Sequence, residues 1–162
     1  MKPGDQPEFF RIAPPPGTSR ESTIRLDQEG RFWHDGGRVE NPALVAALHS
    51  WIARHPDDGR YILTNGYDWT YFKVDDVPYF VIAVEVGDGA VRVALSDGTE
   101  EDMYHEGLRT GADGALYVRV KGGGFEAKFT RHAQTSLAPV MVEDEQTGRL
   151  GLRLGRRVVS VG

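Results

Sequence analysis

The histidines and the clustered acids are the side chains with which this sequence could perform acid–base or metal chemistry. The five histidines are His34, His49, His55, His105 and His132. None of them forms an HExxH or HxH pair, the spacings that bring two ring nitrogens to one metal. His105 and Glu106 are adjacent, so their side chains diverge in any regular structure and are poorly placed to act as a base and its orienting group. We therefore predict no catalytic residue, no metal site and no cofactor.

Other catalytic signatures are missing from the sequence as well. No serine lies in a GxSxG turn, and Gly122–Gly124 lacks the Lys-Ser or Lys-Thr of a phosphate-binding loop, so we interpret it as a hairpin turn that needs positive φ. The acids Glu100–Asp102 lack the ligand spacing of a calcium loop. The alternative is a hydrolase-type enzyme that combines Asp68 or Glu100–Asp102 with His34 or His105 in a pocket. Such a site would have one carboxyl group with a strongly raised pKa.

The stretch Arg60–Val81, RYILTNGYDWTYFKVDDVPYFV, is dense in aromatic side chains. In a single strand from residue 67 to residue 74, alternate side chains share a face, so Tyr67, Trp69 and Tyr71 form one row. An exposed row would be a binding platform for a small molecule or a protein segment. A buried row would pack under a helix, which is the commoner fate of aromatic residues in strands. Trp33 and His34, at the end of a hairpin, are a second candidate contact, so the predicted ligand-binding residues are Tyr67, Trp69, Tyr71, Trp33 and His34.

The segments that hold these side chains divide into an arm and two halves. Residues 1–20 contain three consecutive prolines and are predicted to form an extended proline-rich arm, anchored by Phe9, Phe10 and Ile12. Residues 21–87 are predicted to form an N-terminal half with a hairpin, a helix over residues 41–55 and a meander. Residues 88–162 are predicted to form a C-terminal β-rich half.

The segment ENPALVAALHSWIARHP predicts the principal helix. Asn41 can cap its first turn, Pro42 suits the first helical position, and Pro56 ends it. The predicted apolar stripe consists of Leu44, Val45, Leu48, Trp51 and Ile52.

Short β-prone runs joined by Asn-Gly and Asp-Gly predict antiparallel meanders over most of the remaining chain. Residues 58–73 and 113–129 share one pattern, an Asp-Gly turn, an apolar strand, a glycine turn and an aromatic-bearing strand, which suggests an internal repeat. The predicted class is α+β, mostly β, with two similar meander halves that form partly open barrels beside one amphipathic helix.

The composition narrows the classes of partner. The chain of 162 residues has a formal net charge of −5 and no cysteine, so it has no thiolate site and lacks the basic surface that binds nucleic acid. The sequence contains no run of about 18 apolar residues that could span a membrane and no secretory signal, and we predict a cytoplasmic protein.

Four segments of the sequence carry a family resemblance: RFWHDGGRV, NPALVAALHSWI, DDGRYILTN and VDDVPYFV. With them, roughly residues 21–160 resemble an uncharacterised bacterial family, domain of unknown function 1285. The resemblance implies a β-rich fold with two similar halves, one of them like a pleckstrin-homology domain, and a role in signalling. This chain differs in its longer proline-rich start and its glycine-richer second half.

We predict a non-catalytic, cytoplasmic binding module, regulatory or signalling in role, whose partner is a small molecule or a protein segment. The alternatives are the hydrolase-type enzyme above and a structural homodimer module, in which the aromatic row would lie at a two-fold interface.

Overall fold

The structure, a computed structural model, describes residues 1–160 and is mostly β, with α-helices and several open sheets. Within these residues no sheet closes into a barrel, and the predicted α+β, mostly β class is confirmed. The chain divides into two compact units, Met1–Asp76 and Val77–Gly162, here called unit 1 and unit 2. The predicted arm is therefore part of unit 1.

Unit 1 consists of short strands and one helix of three turns or fewer. Its strands are β1 (Arg25–Leu26), β2 (Phe32–His34), β3 (Gly37–Arg38), β4 (Ile52–Arg54), β5 (Tyr61–Thr64), β6 (Trp69–Tyr71) and β7 (Lys73–Val74), and its helix is α1 (Pro42–Ser50). They form two sheets with the strand orders β3-β2-β1-β7 and β4-β5-β6.

Helix α1 begins as predicted but ends at Ser50, not at His55. The Asn41 side chain accepts a hydrogen bond from the Leu44 N–H at 3.1 Å, which caps the first turn. After the helix, Ile52–Arg54 pairs antiparallel with β5, so Ile52 is buried as a strand residue. Leu44 is 45% exposed and does not belong to the buried face of α1. That face is therefore narrower than the predicted apolar stripe.

The core of unit 1 contains side chains from α1 and from both of its sheets. Leu26, Phe32 and Ile62 are almost completely buried. The His49 ring packs edge-on against the Phe32 ring at 4.8 Å between centroids, and Phe72 lies 6.3 Å from Phe32. His49 is therefore a packing residue of the core.

The predicted strand over residues 67–74 is wrong as a single element, because the chain changes sheets at Phe72. β6 pairs with β5, whereas β7 pairs with β1 in parallel. The N–H groups of Tyr71 and Lys73 donate to the carbonyls of Arg20 and Ile24, on the other side of the strand from β5. The aromatic row is thus limited to the first half of the predicted strand.

Unit 2 carries the longer strands. They are β8 (Tyr79–Val86), β9 (Val91–Leu95), β10 (Glu100–Asp102), β11 (Arg109–Thr110), β12 (Leu116–Val120), β13 (Phe125–Phe129), β14 (Met141–Glu143), β15 (Leu150–Leu154) and β16 (Arg157–Ser160). The sheet orders are β10-β9-β8-β13-β12-β11 and β14-β15-β16. β8 pairs with β9 and β13 and therefore belongs to unit 2. Unit 2 thus begins at Val77, whereas the division predicted from the sequence lies after residue 87.

A second helix, α2 (Arg131–Leu137), follows β13 and was not predicted. The Thr130 hydroxyl accepts from the Ala133 N–H at 3.2 Å and caps it. Between β9 and β12 the chain forms β10, a 3-10 turn and β11. Both stretches of the proposed repeat form antiparallel hairpins, β5–β6 and β12–β13, and the duplication itself stays a prediction.

The N-terminal arm folds against unit 1 in two 3-10 turns, Pro3–Asp5 and Pro7–Arg11, and is less extended than predicted. Phe9 and Phe10 are half-buried, as expected of anchors, but Ile12 is 63% exposed. Within residues 1–160 no helix has the length and apolar character needed to cross a membrane.

Candidate functional site

Trp69 lies at the centre of an aromatic cluster in unit 1. Its ring lies 5.0 Å from Tyr71 and 5.1 Å from His55, measured between centroids, and the Arg20 guanidinium carbon lies 4.8 Å from its ring. The Trp69 side chain is 6% exposed. We call His55, Asp57, Trp69 and Tyr71 the platform.

The hairpin β5–β6 presents the two platform residues of β6 on one face. Its turn is fixed by Asn65, whose side-chain oxygen accepts from the N–H groups of Tyr67 and Asp68 at 2.8 and 2.9 Å. Because side chains alternate along a strand, Trp69 and Tyr71 then point to the same side. The Asp68 carboxylate accepts from the Trp69 N–H and pairs with Arg20, and these contacts lower its pKa.

His55 and Asp57 enter the platform from the turn that follows β4. The Nδ1 atom of His55 accepts a hydrogen bond from the Asp57 N–H at 3.1 Å. The hydrogen of the neutral ring is therefore on Nε2, which lies 3.0 Å from the Phe10 carbonyl oxygen and donates to it. The His55 ring also stacks on Tyr71, with centroids 5.7 Å apart and an angle of 26°.

Residues 2–11, which we call the docked segment, lie on the platform and the adjoining turn. The Phe10 ring packs edge-on against Trp69 at 5.9 Å and against His55 at 6.1 Å. The Arg11 guanidinium donates to the Asp57 carboxylate, from Nε to Oδ2 at 3.0 Å and from Nη2 to Oδ1 at 2.8 Å. The sequence neighbours Phe10 and Arg11 thus contact the platform through a ring, a carbonyl and a charge.

The other end of the docked segment lies on the turn between β5 and β6. The Gly4 N–H donates to the Gly66 carbonyl at 2.8 Å, and the Lys2 ammonium lies 5.6 Å from the Tyr67 ring. A Cβ atom on Gly4 would lie 2.9 Å from the Gly66 Cα, closer than a side chain can approach the backbone. The close approach of the segment to the turn therefore requires glycine at position 4.

The charges of the site are held by specific partners. Hydrogen bonds from Arg11 lower the pKa of Asp57, and the same contact raises the pKa of Arg11. The Tyr71 hydroxyl donates to Asp58 at 2.7 Å and lowers the pKa of that carboxyl group. Burial and the Asp58 charge raise the pKa of Tyr71, so it stays a neutral donor at physiological pH.

The structure brings three of the five predicted site residues to one region. Trp69 is buried, Tyr71 is half-buried and Tyr67 is 64% exposed beside the docked segment. Trp33 and His34 lie in the other sheet of unit 1, where the Trp33 Nε1 atom donates to Asp27 at 2.8 Å and His34 lies near Asp35. These two residues are separate from the platform.

Sequence reasoning missed the platform residues His55 and Asp57 and the role of Arg11. The predicted helix over residues 41–55 has His55 at its end, apart from the aromatic row, and Asp57 lies just beyond that helix. The signal that could have pointed to them is complementarity between an acidic turn, Asp57-Asp58, and an aromatic pair followed by a base, Phe9-Phe10-Arg11.

The acids of the enzyme alternative have structural partners. Asp68 pairs with Arg20 at 2.7 Å and has a lowered pKa. In unit 2, Glu101 accepts from the Lys121 N–H, and Asp102 pairs with Arg92 at 3.1 Å. Within residues 1–160 no cluster of three or more histidines or acids could hold a metal ion.

Two cavities lie next to the platform. One of about 180 Å³ is lined by Trp69 together with Leu48, Trp51 and Leu63. The other, of about 410 Å³, lies beside Tyr71, where Arg60 pairs with Glu21 at 2.8 Å and its guanidinium carbon lies 3.7 Å from the Tyr71 ring centroid.

Comparison with known proteins gave matches among solved structures. No protein-family model and no curated protein matches the chain. A crystal structure of a DUF1285 family protein from Silicibacter pomeroyi DSS-3 is similar with a TM-score of 0.67 at 21% identity, over 94% of this chain and 91% of that chain. A second DUF1285 family protein, from Shewanella baltica OS155, is similar with a TM-score of 0.58 at 18% identity, over 75% of this chain and 94% of that chain. The resemblance predicted from the motifs is therefore confirmed at the level of the fold: the chain has the fold of the DUF1285 family proteins.

Proposed function

We propose that unit 1 is a non-catalytic binding module whose platform binds a short protein segment in which an aromatic residue precedes a basic one. The observation that supports this proposal is the seating of Phe10 and Arg11. The platform contacts the Phe10 ring, the Phe10 carbonyl and the Arg11 guanidinium at the same time. Contacts of these three kinds, to a ring, a backbone and a charge, are those by which peptide-binding modules recognise a segment.

The three contacts divide the recognition between affinity and orientation. Phe10 is the anchor, since paired aromatic rings contribute about 0.5–1.5 kcal/mol beyond the area they bury. The His55 Nε2–H contacts only backbone, so it holds any residue type at that position. The Arg11–Asp57 pair is about half exposed, and a pair in that setting mainly sets direction and specificity.

The docked segment leaves part of the platform unused. Among the described residues, the buried Trp69 Nε1 atom has no hydrogen-bond partner. Leaving a buried donor unsatisfied costs about 1–3 kcal/mol, so a segment that brought an acceptor within hydrogen-bond distance of this atom would have an advantage over residues 2–11. The docked segment is then a built-in competitor, which supports the regulatory role predicted from the sequence.

The test uses the full chain carrying F10A and R11A together, which removes the ring contact and the charge contact of the docked segment and keeps only its backbone bonds and the contact of Lys2 with Tyr67. Both positions lie outside the buried core, so the variant is expected to fold, as circular dichroism will check. We expect a synthetic peptide of residues 2–12 to bind this variant with a dissociation constant of about 0.1–1 mM, measured by NMR shifts of the Trp69 indole. The unaltered chain should bind the peptide at least tenfold more weakly, because its platform is occupied.

Matched peptides separate specific binding from adhesion. A peptide with F10A should bind at least about tenfold more weakly, as expected for loss of an anchor. A peptide with R11A should bind about two- to fivefold more weakly, the loss typical of an exposed ion pair. A folded F10A/R11A chain that binds none of the peptides would overturn the proposal.

A further inference from the structure

The linker between the docked segment and the first strand is mostly exposed: among residues 12–17 Pro14 alone is half-buried. Residues 12–17 form no hydrogen bond with the rest of the described chain, apart from a turn in which the Thr18 N–H and hydroxyl donate to the Pro15 carbonyl. Gly17 has φ of +80°, which is the conformation that this Pro-Gly turn requires. The direction in which the segment leaves unit 1 therefore depends on this one turn.

The contacts of the docked segment do not depend on the linker. They are made by residues 2–11 with the platform and with the turn at Asn65–Tyr67. A segment from another molecule could make the same contacts, and the unlinked platform could accept it. Exchange of identical elements between protomers is a low-cost route to a dimer for this reason.

The linker is also long and stiff enough to reach a neighbour. Eight residues, 12–19, span about 25 Å at the 3.1 Å per residue of a polyproline conformation. Pro14, Pro15 and Pro16 favour that extended conformation once the turn opens. An open linker would project the segment away from its own platform.

We infer that the partner of the platform is the docked segment of a second copy of this chain. Opening of the Pro15–Thr18 turn exchanges the segments, so that each platform holds the Phe10 and Arg11 of the other molecule. This inference rests on the proposed function and names its ligand. It assigns the proline run a role as the hinge of a two-fold dimer.

The test uses charge reversal in two full-length chains. R11D places two acidic groups together within one chain, and D57R places two basic groups together, so neither chain docks its own segment. Both side chains are about half exposed, at 47% and 46%, so folding should be unaffected. In a mixture, the segment of each chain carries the charge that the platform of the other requires.

We expect the equimolar mixture to form a heterodimer of twice the chain mass in analytical ultracentrifugation, at concentrations where each variant alone is monomeric. Deletion of Pro14–Pro16 from the unaltered chain, which shortens the linker and removes its turn, should shift the monomer–dimer midpoint at least tenfold towards lower concentration. The chain carrying both R11D and D57R is the matched control and should regain a monomer with a docked segment.

A mixture that stays monomeric, together with a deletion variant that stays monomeric, would overturn the exchange. The peptide experiment on the F10A/R11A chain reports on the platform separately. Peptide binding without exchange would leave the proposed function standing and remove the second copy as its partner.

Discussion

The ionisation of Asp57 contributes to holding the docked segment. Arg11 holds the pKa of this carboxyl group below its ordinary value of 3.8. When docking lowers the pKa of a carboxyl group, the ionised group stabilises the docked state. This stabilisation is complete at pH values above the pKa that the group has in the undocked state. That stabilisation is lost as the pH falls through the lowered pKa.

We therefore predict that the part of docking contributed by the Arg11–Asp57 pair is fully present above pH 3.8 and is lost as the pH falls below that value. The Gly4 amide, which donates to Gly66, reports docking through its NMR shift and its hydrogen exchange. D57N is the control, since it removes the titrating group and should flatten this part of the profile. A docking midpoint above pH 3.8, or an unchanged profile in D57N, would contradict the prediction.

A second residue-scale prediction concerns Asp97 in unit 2. Burial alone would raise its pKa, but hydrogen bonds from the Lys121 ammonium at 2.6 Å and from Thr99 lower it. We expect D97N to lower the free energy of unfolding by about 1–3 kcal/mol in urea titrations, because the Lys121 ammonium loses its charged partner. D102N is the matched control: its exposed pair with Arg92 should contribute at most about 1 kcal/mol. Equal losses in the two variants would contradict the prediction.

At the scale of elements, α1 ends at Ser50, so Leu44 is a helix residue and Ile52 is a strand residue. Ile52 is 7% exposed and pairs with Leu63 across β4 and β5, whereas Leu44 is 45% exposed on α1. We predict that I52A lowers the free energy of unfolding by about 2–5 kcal/mol and that L44A lowers it by less than about 1 kcal/mol. Chemical denaturation measures both, and comparable losses would mean that the helix continues through Ile52 as its apolar period suggests.

Local signals predicted the elements that local chemistry decides. The residue types at three places decide the local structure there: the Asn41 cap, the Asn65-Gly66 turn and the glycine turn at residues 122–124. The end of α1 and the break at Phe72 depend on which distant strand offers a partner. The spacing of apolar residues does not distinguish these outcomes. Ile52 would be apolar and buried on a helix or on a strand, and Phe72 would be so in one continuous strand or at a change of sheet. The same limit hid the docking of Phe10 on Trp69, although each residue was noticed alone.

At the scale of the whole molecule, each unit contains a parallel strand pair that the sequence did not reveal. In unit 1, β1 pairs with β7, and in unit 2, β8 pairs with β13. Asn-Gly and Asp-Gly turns predict only antiparallel neighbours, because they join strands that follow one another directly. Parallel pairs join strands far apart in the chain, and the entropy of closing that long loop opposes their early formation. The meander prediction therefore describes the hairpins but not the contacts that complete each unit.

This difference predicts the order of folding in unit 1. Ile62 lies in the local hairpin β5–β6, whereas Val74 in β7 pairs only with the distant Leu26. We expect I62V to slow refolding, since the hairpin forms before the transition state, and V74A mainly to speed unfolding. All three tryptophans lie in unit 1, so stopped-flow tryptophan fluorescence follows this unit directly. Both substitutions remove aliphatic carbons at positions that are at least partly buried, so their equilibrium losses should be comparable. If V74A slowed refolding as much as I62V, the parallel pair β1–β7 would already be formed in the transition state, which would contradict the predicted order.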